Sequence, residues 1–142
     1  MIFQHTIDQV LAGTKTQTRR VVDAGKPCKY DVGKTYSVQP GRGKKGVGRI
    51  HIVCINNEHV QDIHPADIHA EGIPNYICKT CGGASLLDYM ACVRCDGGVD
   101  TGAMLGEFVS LWDSIQPVGR RWVDNPEVYV IEFELVKEES ER

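Results

Sequence analysis

The sequence predicts one small α+β domain with a curved or closed β-sheet, short flanking helices and a zinc-binding insertion. The chain has 142 residues, and a length of about 100–150 residues is typical of a single domain. Apolar residues make up 42% of the sequence and charged residues 25%, as in an ordinary globular protein. Helix-like and strand-like segments alternate along the chain, and a cysteine-rich segment interrupts them. We therefore predict one domain over residues 1–142, with the insertion at residues 75–102.

The first segments predict a short helix followed by an extended stretch. Residues 6–13 have helical spacing of apolar side chains, with Thr6 placed to cap the helix and Gly13 to end it. Residues 14–22 are rich in β-branched and basic residues, which favours an extended conformation.

Two strands and a basic loop follow. Residues 34–39 and 47–56 predict strands, and the glycine-rich residues 40–46 predict a flexible loop between them. In the second strand, alternation places Ile50, Ile52 and Cys54 on one face and Ile55 on the other. Cys54 is therefore expected to be a buried core thiol.

The second half of the chain predicts two helices and a last strand. Residues 64–72 predict a short helix that a glycine ends. Residues 105–115 carry an apolar stripe at helical spacing, which places Trp112 in the core. Residues 126–136 alternate strictly near their end and predict a terminal strand.

Four of the six cysteines have the spacing of a structural zinc site. They form two Cys-x2-Cys pairs separated by ten residues, namely Cys78, Cys81, Cys92 and Cys95. The short turn of each pair points both sulfurs the same way, so four thiolates can converge tetrahedrally on one zinc ion. Four cysteines close the coordination shell and leave no position for a reactive water, so we expect the zinc to be structural.

Three other uses of these cysteines are weighed against zinc. Two disulfides are disfavoured in a chain without an export signal. A redox pair normally occurs once, at a helix start, and not twice in tandem. Iron in the same tetrahedral sulfur shell stays an alternative.

Neither a membrane span nor a signal peptide is expected. No apolar run approaches the roughly 18 residues that a transmembrane helix needs. The first residues, Met-Ile-Phe-Gln-His, lack the basic region and apolar run of a secretory signal. We therefore expect a cytoplasmic protein with no membrane partner.

The charge is distributed unevenly. Residues 1–50 contain ten Lys and Arg against three Asp, whereas residues 51–142 contain six against sixteen Asp and Glu. The basic half can present a face that attracts phosphate, although two solvated faces of opposite sign explain the same counts.

Several motifs resemble those of ASCH domains, the activating-signal-cointegrator homology family. Residues 11–20, Leu-Ala-Gly-Thr-Lys-Thr-Gln-Thr-Arg-Arg, resemble the opening motif of the family. Residues 31–40 resemble its second block and residues 70–73, Ala-Glu-Gly-Ile, its acidic block. Residues 108–115 and 122–133 resemble the closing blocks of the phage and prophage branch. The resemblance covers nearly the whole chain except the cysteine-rich insertion.

The resemblance implies a PUA-like β-barrel with flanking helices that binds RNA or a nucleotide-like small molecule. It also implies a cleft where the Gly-x-Lys-Thr-x-Thr segment meets the acidic block. One bacterial branch of the family hydrolyses the acetyl amide of acetylated cytidine with a Lys, a Thr and a Glu from these motifs. The matching positions in this chain are Lys15, Thr18 and Glu71.

The chemistry of these three residues is compatible with catalysis and with a simple ion pair. Thr18 can act as a nucleophile if Lys15, with a pKa lowered by desolvation, accepts its proton. Glu71 can orient Lys15 or exchange a proton with a leaving amine. Both Lys15 and Thr18 reach one cleft only if the backbone between them is irregular. The alternative is a Lys15–Glu71 ion pair at the cleft mouth, with Thr16 and Thr18 serving as strand formers.

A second group of residues predicts contacts with nucleic acid. Lysines and arginines on the opening motif and on the glycine-rich loop can bind phosphates, and an exposed tryptophan can stack on a base. The predicted ligand-binding residues are Lys15, Thr16, Thr18, Arg19, Arg20, Arg42, Lys44, Lys45 and Trp122.

Three functions therefore follow from the sequence. The first is binding of RNA or a nucleotide-like ligand in the cleft. The second is an amidohydrolase acting on acetylated cytidine or a related modified nucleoside. The third is a protein-interaction module whose cleft is vestigial.

Overall fold

The computed structural model describes residues 1–74 and 101–136. Within these ranges every predicted helix and strand is present, although several bounds differ. The helices are α1 (Ile7–Ala12), α2 (Pro65–Ala70) and α3 (Thr101–Ile115). The strands are β1 (Gln17–Val21), β2 (Thr35–Val38), β3 (Gly48–His59) and β4 (Glu127–Leu135). In the described part of the chain, no helix is long and apolar enough to cross a bilayer.

Most of the predicted insertion lies outside the described residues. Its last two residues, 101 and 102, already belong to α3, which begins four residues before the predicted start at 105. The four cysteines of the predicted zinc site also lie outside the described residues. The zinc site therefore stays a prediction.

The four strands form one antiparallel sheet in the order β1-β4-β3-β2. The sheet is covered on both faces because the residues of β4 alternate between two cores. Val128 and Val130 belong to the core that α2 and α3 cover. Ile131 and Phe133 belong to a second core with Phe3 of the N-terminal segment. This alternation explains why β4 is apolar along most of its length.

A bulge in β3 corrects the predicted alternation of that strand. The register with β4 shifts between Ile52 and Cys54, so that Ile55 pairs with Ile131. As a result Ile55, and not Cys54, packs against the core that contains Ile50 and Ile52. Cys54 is half-buried, and its sulfur accepts a hydrogen bond from Asn56. The prediction of a buried Cys54 is wrong because one extra residue moves every later side chain to the opposite face.

The N-terminal segment connects the two edges of the sheet. The amide nitrogen of Phe3 donates to the carbonyl of Gln39, just beyond the edge strand β2, at 2.9 Å. The carbonyl of Ile2 accepts from the guanidinium of Arg20, on the other edge strand β1, at 2.8 Å. The first bond covers part of the β2 edge, and the second joins the same segment to β1. The predicted closure of the sheet into a PUA-like barrel stays a prediction.

The ends of α1 agree with the prediction only in part. Gly13 ends the helix in the left-handed conformation, with φ of 81°, as expected. Thr6 precedes the helix, but its side chain makes no capping hydrogen bond. The helix instead gains stability from Val10, which is fully buried in the second core.

Candidate functional site

A pocket of about 220 Å³ opens beside the edge strand β1. We call it the edge pocket. Its walls come from the N-terminal segment, from β1 and the residues before it, from the end of α2 and from one face of α3. The residues that line it include five predicted from the sequence to form the site, namely Lys15, Thr18, Arg19, Arg20 and Glu71. The predicted meeting of the opening motif and the acidic block is therefore present in the structure.

The backbone before β1 is irregular, as the chemistry of Lys15 and Thr18 required. The amide nitrogens of Thr14 and Lys15 both donate to the carbonyl of Gln9 in α1, at 3.0 Å. The amide nitrogen of Thr16 donates to the carbonyl of Ala70 at the end of α2, at 2.8 Å. This path between two helices turns the side chain of Lys15 inward before the regular strand begins.

Helix α2 positions the acidic residue of the pocket. The helix begins after His64, whose ring nitrogen accepts from the amide of Ala66 at 3.1 Å, and Pro65 occupies its first position. Ile68 anchors the helix in the core. The helix ends at Ala70, so that Glu71 follows directly and projects into the edge pocket.

The amine of Lys15 binds Glu71 at two points. It donates to the main-chain carbonyl of Glu71 at 2.6 Å and to its Oε1 at 3.3 Å. The first bond also satisfies a carbonyl at the end of α2, where a positive charge is favourable. Both residues are buried, with exposures of 6% for Lys15 and 5% for Glu71.

Arg19 binds the other oxygen of the same carboxylate. Its Nη1 donates to Oε2 of Glu71 at 2.8 Å, and its Nε donates to Glu58 at 3.0 Å. Its Nη2 lies 3.6 Å from Asp67. The guanidinium is fully buried and faces three carboxylates. Arg19 therefore holds Glu71 in place, and its predicted contact with a ligand stays a prediction.

Burial shifts the pKa values of two cations of the pocket. Burial lowers the pKa of the Lys15 amine below its ordinary value, and the Glu71 carboxylate opposes this effect. Burial also lowers the pKa of Arg20. A lysine with a lowered pKa loses its proton more readily than an exposed one, which is the property a lysine base needs.

Thr18 supplies a hydroxyl to the same pocket. It is only 4% exposed, and it lies opposite Ile131 in the register of β1 and β4. Among the described residues, its hydroxyl makes no hydrogen bond. Thr16 is exposed, and it does not line the pocket.

The ring of Phe3 lies close to two cations of the pocket, and this residue was not predicted from the sequence. The amine of Lys15 is 5.7 Å from the centre of its ring, and the guanidinium carbon of Arg20 is 5.2 Å from it. Both distances are within the range of cation–π attraction. A lone aromatic residue near the N-terminus carries no periodic signal, so the sequence offered no way to find this contact.

Arg20 has one nitrogen without a partner. Its Nη2 donates to the carbonyl of Ile2, but its Nε is buried and has no hydrogen-bond partner among the described residues. A buried donor without an acceptor costs roughly 1–3 kcal/mol. Arg20 therefore contributes an unsatisfied cation to the pocket wall.

The remaining predicted ligand-binding residues lie outside the edge pocket. Arg42, Lys44 and Lys45 are exposed on the loop between β2 and β3, and none of them lines the pocket. Trp122 is half-buried, and its ring packs edge-on against Phe108 with centroids 6.3 Å apart. Trp112 is a core residue, as predicted, and one side of it also forms a wall of the pocket.

The charge of the edge pocket favours an electron-rich ligand. Glu71 compensates Lys15, and Glu58, Asp67 and Glu71 together compensate Arg19. The cation without such compensation is Arg20, whose buried Nε has no hydrogen-bond partner among the described residues. Phe3 and Trp112 add apolar surface. In the described residues, no cluster of His, Cys, Asp or Glu is arranged to hold a metal ion.

Two solved structures share this fold. The ASCH domain of Lactobacillus crispatus is similar with a TM-score of 0.52 and 14% identity, over 92% of this chain and 69% of that one. A DUF984 protein of Enterococcus faecalis is similar with a TM-score of 0.56 and 15% identity, over 95% and 72% of the two chains. No protein-family model matches the sequence, and no curated protein sequence is significantly similar to it. The chain therefore has an ASCH-like fold, which confirms the predicted α+β architecture.

Proposed function

We propose that this protein binds RNA or a nucleotide-like ligand, with one base in the edge pocket. Arg20 carries the proposal, because its buried Nε has no hydrogen-bond partner among the described residues and its guanidinium lies next to apolar surface in the pocket wall. A nucleobase offers a flat apolar face together with electron-rich oxygen and nitrogen atoms, which suit both features. The fold is that of a domain class that binds nucleic acid in general, and this agrees with the proposal.

The size of the pocket limits what it can hold. A cavity of about 220 Å³ is smaller than the roughly 300–1,000 Å³ of pockets that enclose whole drug-sized ligands. It suits one base or one small modified group. The rest of an RNA strand would then lie outside the pocket, within reach of exposed cations.

The loop between β2 and β3 is proposed as a phosphate-binding surface. Arg42, Lys44 and Lys45 are exposed there, and Gly43 has a positive φ of 74°. Cations on such a loop supply affinity that depends on salt and carries no sequence preference.

A salt titration with a single-stranded hexaribonucleotide tests this surface. Loss of three phosphate contacts in the R42A/K44A/K45A variant is expected to reduce the slope of log affinity against log salt by about 2. The control variant K34A/R49A removes two other exposed cations and is expected to leave the slope nearly unchanged. If the native chain binds RNA and both variants have the same salt slope as the native chain, the loop has no role in phosphate binding.

The second candidate is an amidohydrolase for acetylated cytidine or a related nucleoside. The observation that favours it is the lowered pKa of the buried Lys15 amine in the pocket that also holds the unbonded Thr18 hydroxyl. Neutral Lys15 would accept the Thr18 proton as that oxygen attacks the acetyl carbonyl carbon. Lys15 would return the proton to the leaving amine as the C–N bond breaks, and water would hydrolyse the acyl ester. Glu71 would orient the Lys15 amine during both proton transfers.

Turnover of acetylated cytidine separates the two candidates. An amidohydrolase releases cytidine and acetate, and both K15A and T18A should abolish release while the circular dichroism spectrum stays native. A binding module gives no turnover with any variant. Turnover that survives T18A would exclude Thr18 as the nucleophile.

Structural zinc at Cys78, Cys81, Cys92 and Cys95 is proposed on their spacing. Four thiolates in two Cys-x2-Cys pairs match one of the usual ligand sets of structural zinc. Such a site would stabilise the insertion without taking part in the chemistry of the edge pocket.

A further inference from the structure

A second pocket of about 420 Å³ lies beside the edge pocket, and no part of the proposed function uses it. We call it the loop pocket, because residues of the connection between β1 and β2 form much of its wall. It is lined by Arg20, Lys26, Cys28, Lys29, Tyr30 and Tyr129, among others. Its volume falls within the range of pockets that enclose small ligands.

Arg20 lines both pockets. It lies opposite Tyr129 in the register of β1 and β4, so the two side chains share one face of the sheet. It contributes to the edge pocket together with Glu71 and to the loop pocket together with Tyr30. A group bound next to Arg20 would therefore be within reach of both pockets.

The rim of the loop pocket is positive. Lys26 and Lys29 are both exposed there. The one lining carboxylate, Asp23, forms an ion pair with Arg120, which compensates its charge. Together with Arg20, the two lysines favour an anionic group at this rim.

The loop pocket also offers a fixed aromatic wall. Tyr30 packs edge-on against Tyr36 with centroids 5.0 Å apart. The hydroxyl of Tyr36 accepts a hydrogen bond from the amide of Asp31 at 2.8 Å, which anchors that ring. Tyr129 and Ile131 of β4 complete the apolar surface. A flat aromatic group can stack in this pocket, as bases do on the tyrosines of single-strand binders.

We propose that the loop pocket binds a second nucleotide, the neighbour in the strand of the one in the edge pocket. Arg20 then binds the phosphate that joins the two nucleotides, and Lys26 and Lys29 bind the outer phosphate. This inference rests on the proposed function, since it assumes a base in the edge pocket. It makes the recognised unit a dinucleotide of single-stranded RNA.

The test uses a 5′-phosphorylated uridine dinucleotide with four forms of the chain. The native protein should bind it, and T18V, which alters the edge pocket, should weaken binding. The K26A/K29A variant should weaken it by about tenfold through the lost phosphate contacts. The control K34A/R49A removes two cations that line neither pocket and should bind as the native chain does.

Cys28 reports directly on the loop pocket. It is a half-buried free thiol that lines this pocket, so a bound nucleotide should slow its alkylation several-fold. Cys54 is also half-buried and free but lines neither pocket, so its alkylation should not change. Peptide mass spectrometry measures both rates in one sample.

The outcomes separate this inference from the proposed function. In one outcome T18V weakens binding, but the ligand does not slow Cys28 alkylation and K26A/K29A binds as the native chain does. This outcome would overturn the site in the loop pocket and leave the site in the edge pocket. If the ligand protects Cys28 equally well in T18V, the loop pocket binds a nucleotide independently of the edge pocket. That result would overturn the proposed dinucleotide site. Absence of binding by the native chain would overturn both.

Discussion

The amine of Lys15 binds Glu71 twice, at the main-chain carbonyl and at the carboxylate, with distances of 2.6 Å and 3.3 Å. This double contact joins the segment before β1 to the end of α2 and forms one wall of the edge pocket. Arg19 occupies the second carboxylate oxygen at 2.8 Å. The carboxylate is thus fixed between two buried cations, so its charge contributes to the stability of the pocket wall.

Replacing Glu71 should destabilise the fold strongly. The E71Q variant leaves Lys15 and Arg19 buried with less compensation, and breaking a buried charge pair costs roughly 3–5 kcal/mol. Urea unfolding followed by circular dichroism measures the change. The matched control is E58Q, which removes a half-exposed carboxylate that also contacts Arg19 and should cost less. Equal losses in the two variants would contradict a dominant role of Glu71.

Stability should depend on pH through Lys15. Because the pKa of Lys15 is lowered in the folded state, the unfolded chain binds more protons between that lowered value and the ordinary value of 10.5. The Lys15 contribution to the free energy of unfolding therefore rises with pH across this window. The difference in stability between the native chain and K15M, measured by urea unfolding at several pH values, should grow in favour of the native chain up to about pH 10.5. A difference that shrinks as the pH rises would mean that Glu71 outweighs burial and raises the pKa.

Gly72 should not tolerate a side chain. Its φ of 101° is a conformation that other residues rarely adopt, and a Cβ there would lie 3.4 Å from both Lys15 and Thr6. We expect G72A to lower the free energy of unfolding by about 1–3 kcal/mol. The control G106A lies in α3 with no atom within 4 Å of the added carbon, and it should raise stability by about 0.5–1 kcal/mol. Both values come from thermal or urea unfolding, and a neutral G72A would contradict the argument.

The purified chain should contain about one zinc ion, as the two Cys-x2-Cys pairs imply. Metal analysis of the native protein and of C78S measures it, and the variant should lose the metal. C54S removes a free thiol outside the pattern and should retain it. A folded native chain free of metal would contradict the zinc proposal. Iron in place of zinc would favour the alternative in which the same four thiolates bind iron.

The elements that the sequence predicts correctly are those whose structure a local pattern decides. The alternation in β4 and the apolar stripe of α3 follow from the period of each element, and both were predicted. The bulge in β3 was not predicted, because it depends on pairing with β4 and not on the residues of β3 alone. Cys54 was therefore assigned to the wrong face.

The candidate site was predictable in its members and less so in their roles. The motif resemblance brought Lys15, Thr18 and Glu71 together, and the structure places them around one pocket. Arg19 was expected to contact a ligand because it is a cation beside the motif. Its partners Glu58, Asp67 and Glu71 lie far along the chain, so only the fold could reveal that it is buried among them.

The most direct test of the account is a calorimetric titration of the native chain, T18V and T35V with single-stranded RNA. T18V replaces a buried pocket hydroxyl by a methyl group of the same size, whereas T35V makes the same change on the exposed start of β2. If the edge pocket receives the ligand, the native chain and T35V bind with equal affinity, and T18V binds at least several-fold more weakly. Equal binding by all three proteins would contradict the claim that the edge pocket receives the ligand.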